Sequence, residues 1–495
     1  MKKKTTQIEL HPEGESSFHF KFQTSGGLYQ LKAGDRNLTA YGGLVAWDYF
    51  VRQTGILDQL TENYPIARTS PNATPVRDIL SAFTLNCLVG GNRFAHMRRL
   101  QDDQAVAQIL GLSKQRLCGE DTFRRLCSAL EREQARAWLS PAEHTIYQAL
   151  PENSIADWDS TVNTKYGYQE DTAVGYNPHK PGRRSLHPLV CSIAGTRLAL
   201  HMEWGKGNTV SATNWITAME KVWSQPIAQH RIKLNRGDIG FGQEKIIAWH
   251  EDKDQARPNY LFKLKLTKNV KRAIQRVDWP DWQGSPTEGM QQVAEIKLKL
   301  SGWTQERRIV VSRTLKPLNP TPQDQFWGFT EEIIHAYVTN LTEEQASGFQ
   351  IIDLYKQRAD SENVFDELKN QWGFAGFSSQ QAVVSECASR MLLLTYNLWT
   401  MFTRVIKNQG THTEAITSRY ELLLIPGRII TSGRQKTVVL SVGEKLKKLL
   451  IQAYKRLQAW LKTTAPQLRL YGSKPPPWTL FYNPKAPDID PNCGF

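Results

Sequence analysis

The stretch Asn153-Ser-Ile-Ala-Asp-Trp-Asp159 marks the point where the periodicity of the chain changes. It is a short run that ends in acid. Leu186 to Ile193 and Arg197 to Trp204 then read as strands around a Gly195-Thr196 turn. Ala212 to Trp223 carries the stripe of an amphipathic helix. Arg231 to Asn235 is a further strand that ends at Arg236-Gly237-Asp238, Gln243 to His250 is helical, and Tyr260 to Leu266 alternates as a strand. The order strand, strand, strand, helix, strand, helix, strand predicts an α/β fold with a mixed sheet and helices on its faces. Functional groups in open sheets gather at strand ends, which singles out Asp157 and Asp159 after the first strand and Asp238 after the fourth.

A third acid comes from further along. Tyr355-Lys-Gln-Arg358-Ala-Asp-Ser-Glu362-Asn-Val-Phe-Asp366-Glu-Leu-Lys369 lies in a stretch, Ile351 to Trp372, that reads as one long helix. At about 100° per residue, Tyr355, Arg358, Glu362 and Lys369 fall within roughly 60° of one another. Such a face suits carboxylate, metal and phosphate; a surface ladder of salt bridges is the plainer alternative. Asp366 shares the stripe, so geometry does not choose between it and Glu362.

Upstream of Asn153 the pattern is helical. Thr39 to Leu60, Val76 to Leu88 and Asp121 to Trp138 carry apolar stripes, with Asp121 placed as an N-cap. Basic clusters at Arg93 to Arg99 and at Arg116 to Arg125, which includes Arg124 and Arg125, sit on this helical part. Lys268 to Glu344 holds Trp279, Trp282, Trp303, Trp327 and alternating runs such as Glu295-Ile-Lys-Leu-Lys-Leu300, and reads as a β-rich insertion. Ala382 to Ile406 reads as another helix, and a Pro-rich tail begins at Pro475.

These residues together resemble cut-and-paste DDE transposases of bacterial insertion sequences. The spacing Tyr-x2-Arg-x3-Glu-x6-Lys matches that family's signature. Asp159-Ser160-Thr161 and Arg236-Gly-Asp238-Ile-Gly-Phe241 resemble its two aspartate motifs, and Gly90-Gly91-Asn-Arg93-Phe-Ala-His96, Asp121-Thr122-Phe-Arg124-Arg125 and Tyr396-Asn397-Leu398-Trp399 extend the likeness from about residue 40 to about 440. The resemblance implies an RNase H-like core in which Asp159, Asp238 and Glu362 hold two Mg²⁺ ions, with Mn²⁺ as a substitute. It places Asp159 rather than Asp157 in the site, leaving Asp157 a capping, Thr161-binding or supporting role. Tyr355, Arg358 and Lys369 would bind DNA phosphate. Relatives make hairpin ends and stack a tryptophan in place of a flipped base, for which Trp303, ahead of Arg307-Arg308, is the first candidate here.

The domain expectation follows: 1–150 a helical DNA-binding domain, 151–267 the first part of the core, 268–345 the β-rich insertion, 346–405 the second part with the signature helix, and 406–495 a basic DNA-binding region. The expected activity is binding of terminal inverted repeats, cleavage of both strands and joining of 3′-hydroxyl ends to target DNA, by at least a dimer on double-stranded DNA. A catalytically silent or domesticated DNA-binding protein, and a metal-dependent nuclease without strand transfer, are the alternatives.

Charge agrees with a polyanionic partner. The 495 residues carry 62 Lys plus Arg against 48 Asp plus Glu, a net +14. From Met401 to Phe495 there are 15 basic and 5 acidic residues, or +10, whereas 268–344 has 10 of each. Gly427-Arg428-Ile-Ile-Thr-Ser-Gly433-Arg434-Gln-Lys436 reads as a strand pair or turn gripping phosphate, or as a plain basic loop. Salt-dependent DNA binding, weakened by truncation near residue 405, is expected. The most apolar run, Met391 to Phe402, is shorter than the roughly 20 residues of a membrane span. No signal peptide is visible, and Cys87, Cys118, Cys127, Cys191, Cys387 and Cys493 form no CxxC pair, so a cytoplasmic location is expected. His179, His187 and His201 form no zinc pattern, and neither a nucleotide loop nor any other small-molecule cofactor motif is present.

Overall fold

The computed structural model describes residues 19–32, 35–285, 290–317, 330–407 and 412–462. The described chain opens with a hairpin of the strands His19–Thr24 and Gly27–Lys32 and a short strand Leu38–Thr39, and helices follow: α1 (Leu44–Thr54), α2 (Val76–Leu88), α3 (Glu120–Ser128) and α4 (Arg132–Thr145). Two expectations are corrected here. The helix expected over Thr39 to Leu60 is broken at Gly55, whose φ of 67° ends α1 and starts a second helix, Ile56–Glu62. The stretch from Asp121 is also two helices. Gly119 is the N-cap of α3, and Asp121 lies in its first turn, where a carboxylate faces the positive helix end.

The sheet follows the expected order. Strands β1 (Ser154–Ser160), β2 (Leu189–Ile193), β3 (Leu198–Glu203), β4 (Ile232–Gly237) and β5 (Asn259–Leu264) are joined by helices that include α5 (Ser211–Trp223) and α6 (Glu244–His250). Then β6 (Gln291–Leu298), β7 (Arg307–Pro317) and β8 (Thr330–Thr339) appear. Among the described residues these eight form one mixed sheet, in the order β6-β7-β8-β5-β4-β1-β2-β3. Strand β4 runs parallel to both β1 and β5, and the other pairings are antiparallel. The segment expected as a β-rich insertion therefore continues the central sheet through the β5–β8 pairing.

One sheet face packs Trp158, Phe262 and Ile309 against Trp215, Met219 and Ile247 of α5 and α6. The other packs Leu234, Leu261 and Val310 against Ile351 and Leu354 of α7 (Gly348–Lys356). A break separates α7 from α8 (Ala359–Asn370), so the single helix expected over Ile351 to Trp372 is two. The cause is a side chain. Buried Arg236 donates from Nη1 to the Leu354 carbonyl, the oxygen that an unbroken helix would offer to Arg358 N. Arg358 N turns to the Tyr355 carbonyl instead, at 3.0 Å.

Helix α9 (Ala382–Lys407) ties the two halves together. Its Asn397 clamps the edge strand β3, donating to the Ala199 carbonyl at 2.7 Å and accepting from Ala199 N at 2.9 Å. Glu386 of α9 meets Arg132 and Arg136 of α4, both at 2.8 Å. Helix α10 (Glu444–Lys462) packs Leu450, Ala453 and Leu457 into the same core as α1, α2 and α9. The C-terminal segment is thus part of the helical body. Removing it near residue 405 would strip this apolar surface, so truncation would report folding as well as DNA contact. No helix among the described residues is long and apolar enough to cross a membrane.

Candidate active site

Register decides what the strand ends bring together. In the parallel β1–β4 pair, Gly237 lies opposite Trp158, so the next residues, Asp238 and Asp159, stand side by side where both strands finish. Asp159 accepts from Ser160 N at 2.8 Å through Oδ1, and its Oδ2 lies 2.8 Å from an Arg358 guanidinium nitrogen. Asp238 caps the short turn Ile239–Phe241, accepting from Gly240 N at 2.9 Å. Glu362 is exposed in the first turn of α8. Asp159, Asp238 and Glu362 all line one cleft of about 770 Å³. Asp366, one turn beyond, is exposed and accepts from Asn370 at 2.7 Å; it is not among the cleft-lining residues.

Asp157 takes no part in the cleft. It is buried and paired with Arg236 through two hydrogen bonds of 2.7 Å, rather than bound to Thr161. Arg358 is also buried. Besides Asp159 it donates to the Trp158 carbonyl at 3.1 Å, and its Nε is buried with no hydrogen-bond partner among the described residues. Tyr355 lines the cleft with its ring 4.7 Å from that of Tyr337. Burial pushes its hydroxyl up, and Asp238 adds to this while Arg358 opposes it. Lys369 is exposed near the end of α8.

Electrostatics in the cleft favour a cation. Burial raises Asp159 above the usual carboxylate range; Asp238 raises it further and Arg358 only partly offsets this. Two neighbouring carboxylates and a third on a facing helix are a donor set that hard divalent ions prefer. As placed, no three His, Cys, Asp or Glu side chains among the described residues are gathered closely enough to hold a metal ion.

The remaining expected residues are dispersed. Arg124 and Arg125 are exposed on α3, with Arg124 3.6 Å from Asp121. Arg428 lies on the strand Gly427–Ser432, 3.1 Å from Asp35, and Arg434 is exposed at the turn before Gln435–Leu440. Trp303 is buried in the core with Arg307 over its ring at 4.9 Å. Arg307 itself is buried between Glu244 and Glu251, and Arg308 binds Glu295 at 2.7 Å. The basic pair that pointed to Trp303 thus serves the fold, and Trp303 offers no open face to a base. Trp282 is likewise buried under Arg313, and Trp327 lies outside the described residues.

The sequence reading missed the far wall of the cleft. Lys263 of β5, His335 and Tyr337 of β8, Ser312 of β7 and Gln291 of β6 line the same cleft as the carboxylates. Burial lowers the Lys263 ammonium, as does Arg358, against the pull of Asp238. A lysine interrupting the apolar run Tyr260-Leu-Phe-Lys263-Leu was the available signal.

A family model described as "Transposase DDE domain group 1" matches residues 29–462. No curated protein matches the chain. Solved structures that are similar include the piggyBac transposase synaptic complex with hairpin DNA, at 10% identity and a TM-score of 0.44, covering 85% of this chain and 81% of that one.

Proposed function

The chain belongs to the transposase DDE domain group 1 family, and from that premise we propose that it cuts the ends of a mobile element and joins their 3′-hydroxyls to target DNA. The observation that carries this reading is the meeting of Asp159, Asp238 and Glu362 at one cleft from two adjoining strand ends and a facing helix. The strand order β3-β2-β1-β4-β5, with β4 parallel to its two neighbours, supports an RNase H-like core. The three carboxylates would hold divalent metal, Mg²⁺ by their oxygen chemistry, which when bound activates the attacking oxygen and stabilises the leaving one.

The chain's own groups divide the rest of the task. Arg358 fixes the Asp159 carboxylate and is a positioning residue, since its guanidinium is buried against Asp159 and the Trp158 carbonyl. Tyr355 and Lys369 take phosphates on one side of the cleft, and Lys263 takes one on the other. Arg124, Arg125, Arg428 and Arg434 hold flanking duplex. In this reading the element is a bacterial insertion sequence, its inverted repeats are bound by a dimer, and end cleavage passes through hairpins.

Incubation of the full chain with Mg²⁺, an end-bearing duplex and a supercoiled target plasmid tests the proposal. Joined product is expected. Hydrolysed ends with no joined product would make the protein a nuclease, and intact DNA would refute the reading. A denaturing gel showing only linear ends would remove the hairpin step.

A further inference from the structure

Directly after β1 ends at Ser160, the chain builds a separate small sheet from Asn163–Thr164, Ala173–Val174 and Arg184–Leu186. Its loops present Tyr166, Tyr168 and Tyr176 at 70%, 86% and 78% exposure. Three tyrosines this open gain nothing from burial in the folded chain. Cations accompany them. Lys180 Nζ lies 5.0 Å from the Tyr166 ring centroid and also donates to its hydroxyl, Arg183 lies 5.8 Å from the same ring, and Arg184 lies 5.2 Å from the Tyr168 ring.

The base of this layer is firmly held. Asp171 binds Arg132 at 2.6 Å and the Trp204 indole at 3.1 Å, while Lys165 is buried and donates to the Ala375 carbonyl at 2.7 Å. A Cβ on Gly175 would meet the Gly207 carbonyl oxygen at 2.0 Å, so the two backbones touch. The rings are therefore displayed on a rigid base, which lowers the ordering cost of binding.

Flat exposed rings with guanidinium and ammonium groups beside them suit a chain that offers both base faces and phosphates. Paired duplex hides its base faces inside the stack, so the matching ligand is DNA with unpaired nucleotides. We infer that Tyr166, Tyr168 and Tyr176 form a stacking platform for unpaired nucleotides next to the cleaved bond, with Lys180, Arg183 and Arg184 taking the phosphates. Chain continuity from Asp159 to Asn163 sets the platform beside the site, and the inference rests on the transposase reading for its DNA.

Fluorescence anisotropy on the full chain tests it with two labelled probes: a blunt duplex, and the same duplex with a short oligothymidine extension. Wild type is expected to bind the extended probe about tenfold more tightly. The triple variant Tyr166→Ala/Tyr168→Ala/Tyr176→Ala should lose that preference while keeping its affinity for blunt duplex and its melting temperature. The matching triple Tyr→Phe variant should retain the preference. No preference in wild type, or an undiminished one in the alanine variant, would overturn the platform. The transposase reading is scored separately, by whether wild type cuts and joins DNA, so either can fail while the other stands.

Discussion

Strand β1 carries two Asp–Arg pairs on one face, two residues apart, and they do opposite things. Asp157 and Arg236 are 1% and 0% exposed and hold each other through two bonds, with the third Arg236 nitrogen opening the α7–α8 joint. Asp159 and Arg358 are 21% and 9% exposed and face the cleft. The first pair is complete and dry. The second is left with a carboxylate that burial and Asp238 push upward. Other acids that serve the fold are held low by their partners. Glu203 is held down at about 2, burial being outweighed by hydrogen bonds from His201 and Lys221. Buried Glu386 is also held low, by Arg390, Arg136 and Arg132. Asp159, although bonded to Ser160 N and Arg358, is raised by burial where it lines the cleft, as groups at functional sites often are.

The contrast can be broken most severely at the sealed pair. Asp157→Ala strands a buried guanidinium and should cost about 3–5 kcal/mol in urea unfolding. A loss under about 1 kcal/mol would erase the distinction between the pairs. The next effect is a pH dependence. Glu203 has a folded-state value below its usual 4.5, so its contribution is present above that value and is lost as pH falls toward about 2. Glu203→Gln should flatten that part of the acid limb in stability measurements. Asp159 has the opposite sign. Its raised value means a contribution present below the usual 3.8 and lost as pH rises through the folded value. Asp159→Asn should therefore remove that loss and leave neutral-pH stability within about 1 kcal/mol of wild type. Smallest of all, Arg434→Ala at the exposed turn should leave stability unchanged and lower the salt slope of DNA binding by about 1.

Much of this arrangement was legible in the sequence, for physical reasons. Apolar patterning located β1 to β5 and matched α2 at Val76–Leu88, because local periodicity reports which face is buried. Strand-end acids were readable because strand ends are few. What escaped depends on contacts distant in sequence. The break at Arg358 is set by Arg236, and nothing in the helical spacing of Tyr355 to Lys369 encodes it. The sheet extension rests on β8 pairing with β5, and the C-terminal helix rests on α9; both read as separate regions from composition alone. Arg307-Arg308 drew attention to Trp303 because charge shows in sequence while its partners, Glu244, Glu251 and Glu295, do not.

The most direct measurement compares DNA-end cleavage by wild type with that of Asp159→Asn, Asp238→Asn and Glu362→Gln at equal DNA occupancy, with Asp366→Asn as the neighbouring acid. Each of the first three should lose about a thousandfold or more in cleavage rate while still binding DNA, and Asp366→Asn should cut normally. Cleavage that survives in the first three, or is lost only in Asp366→Asn, would contradict the assignment of the cleft.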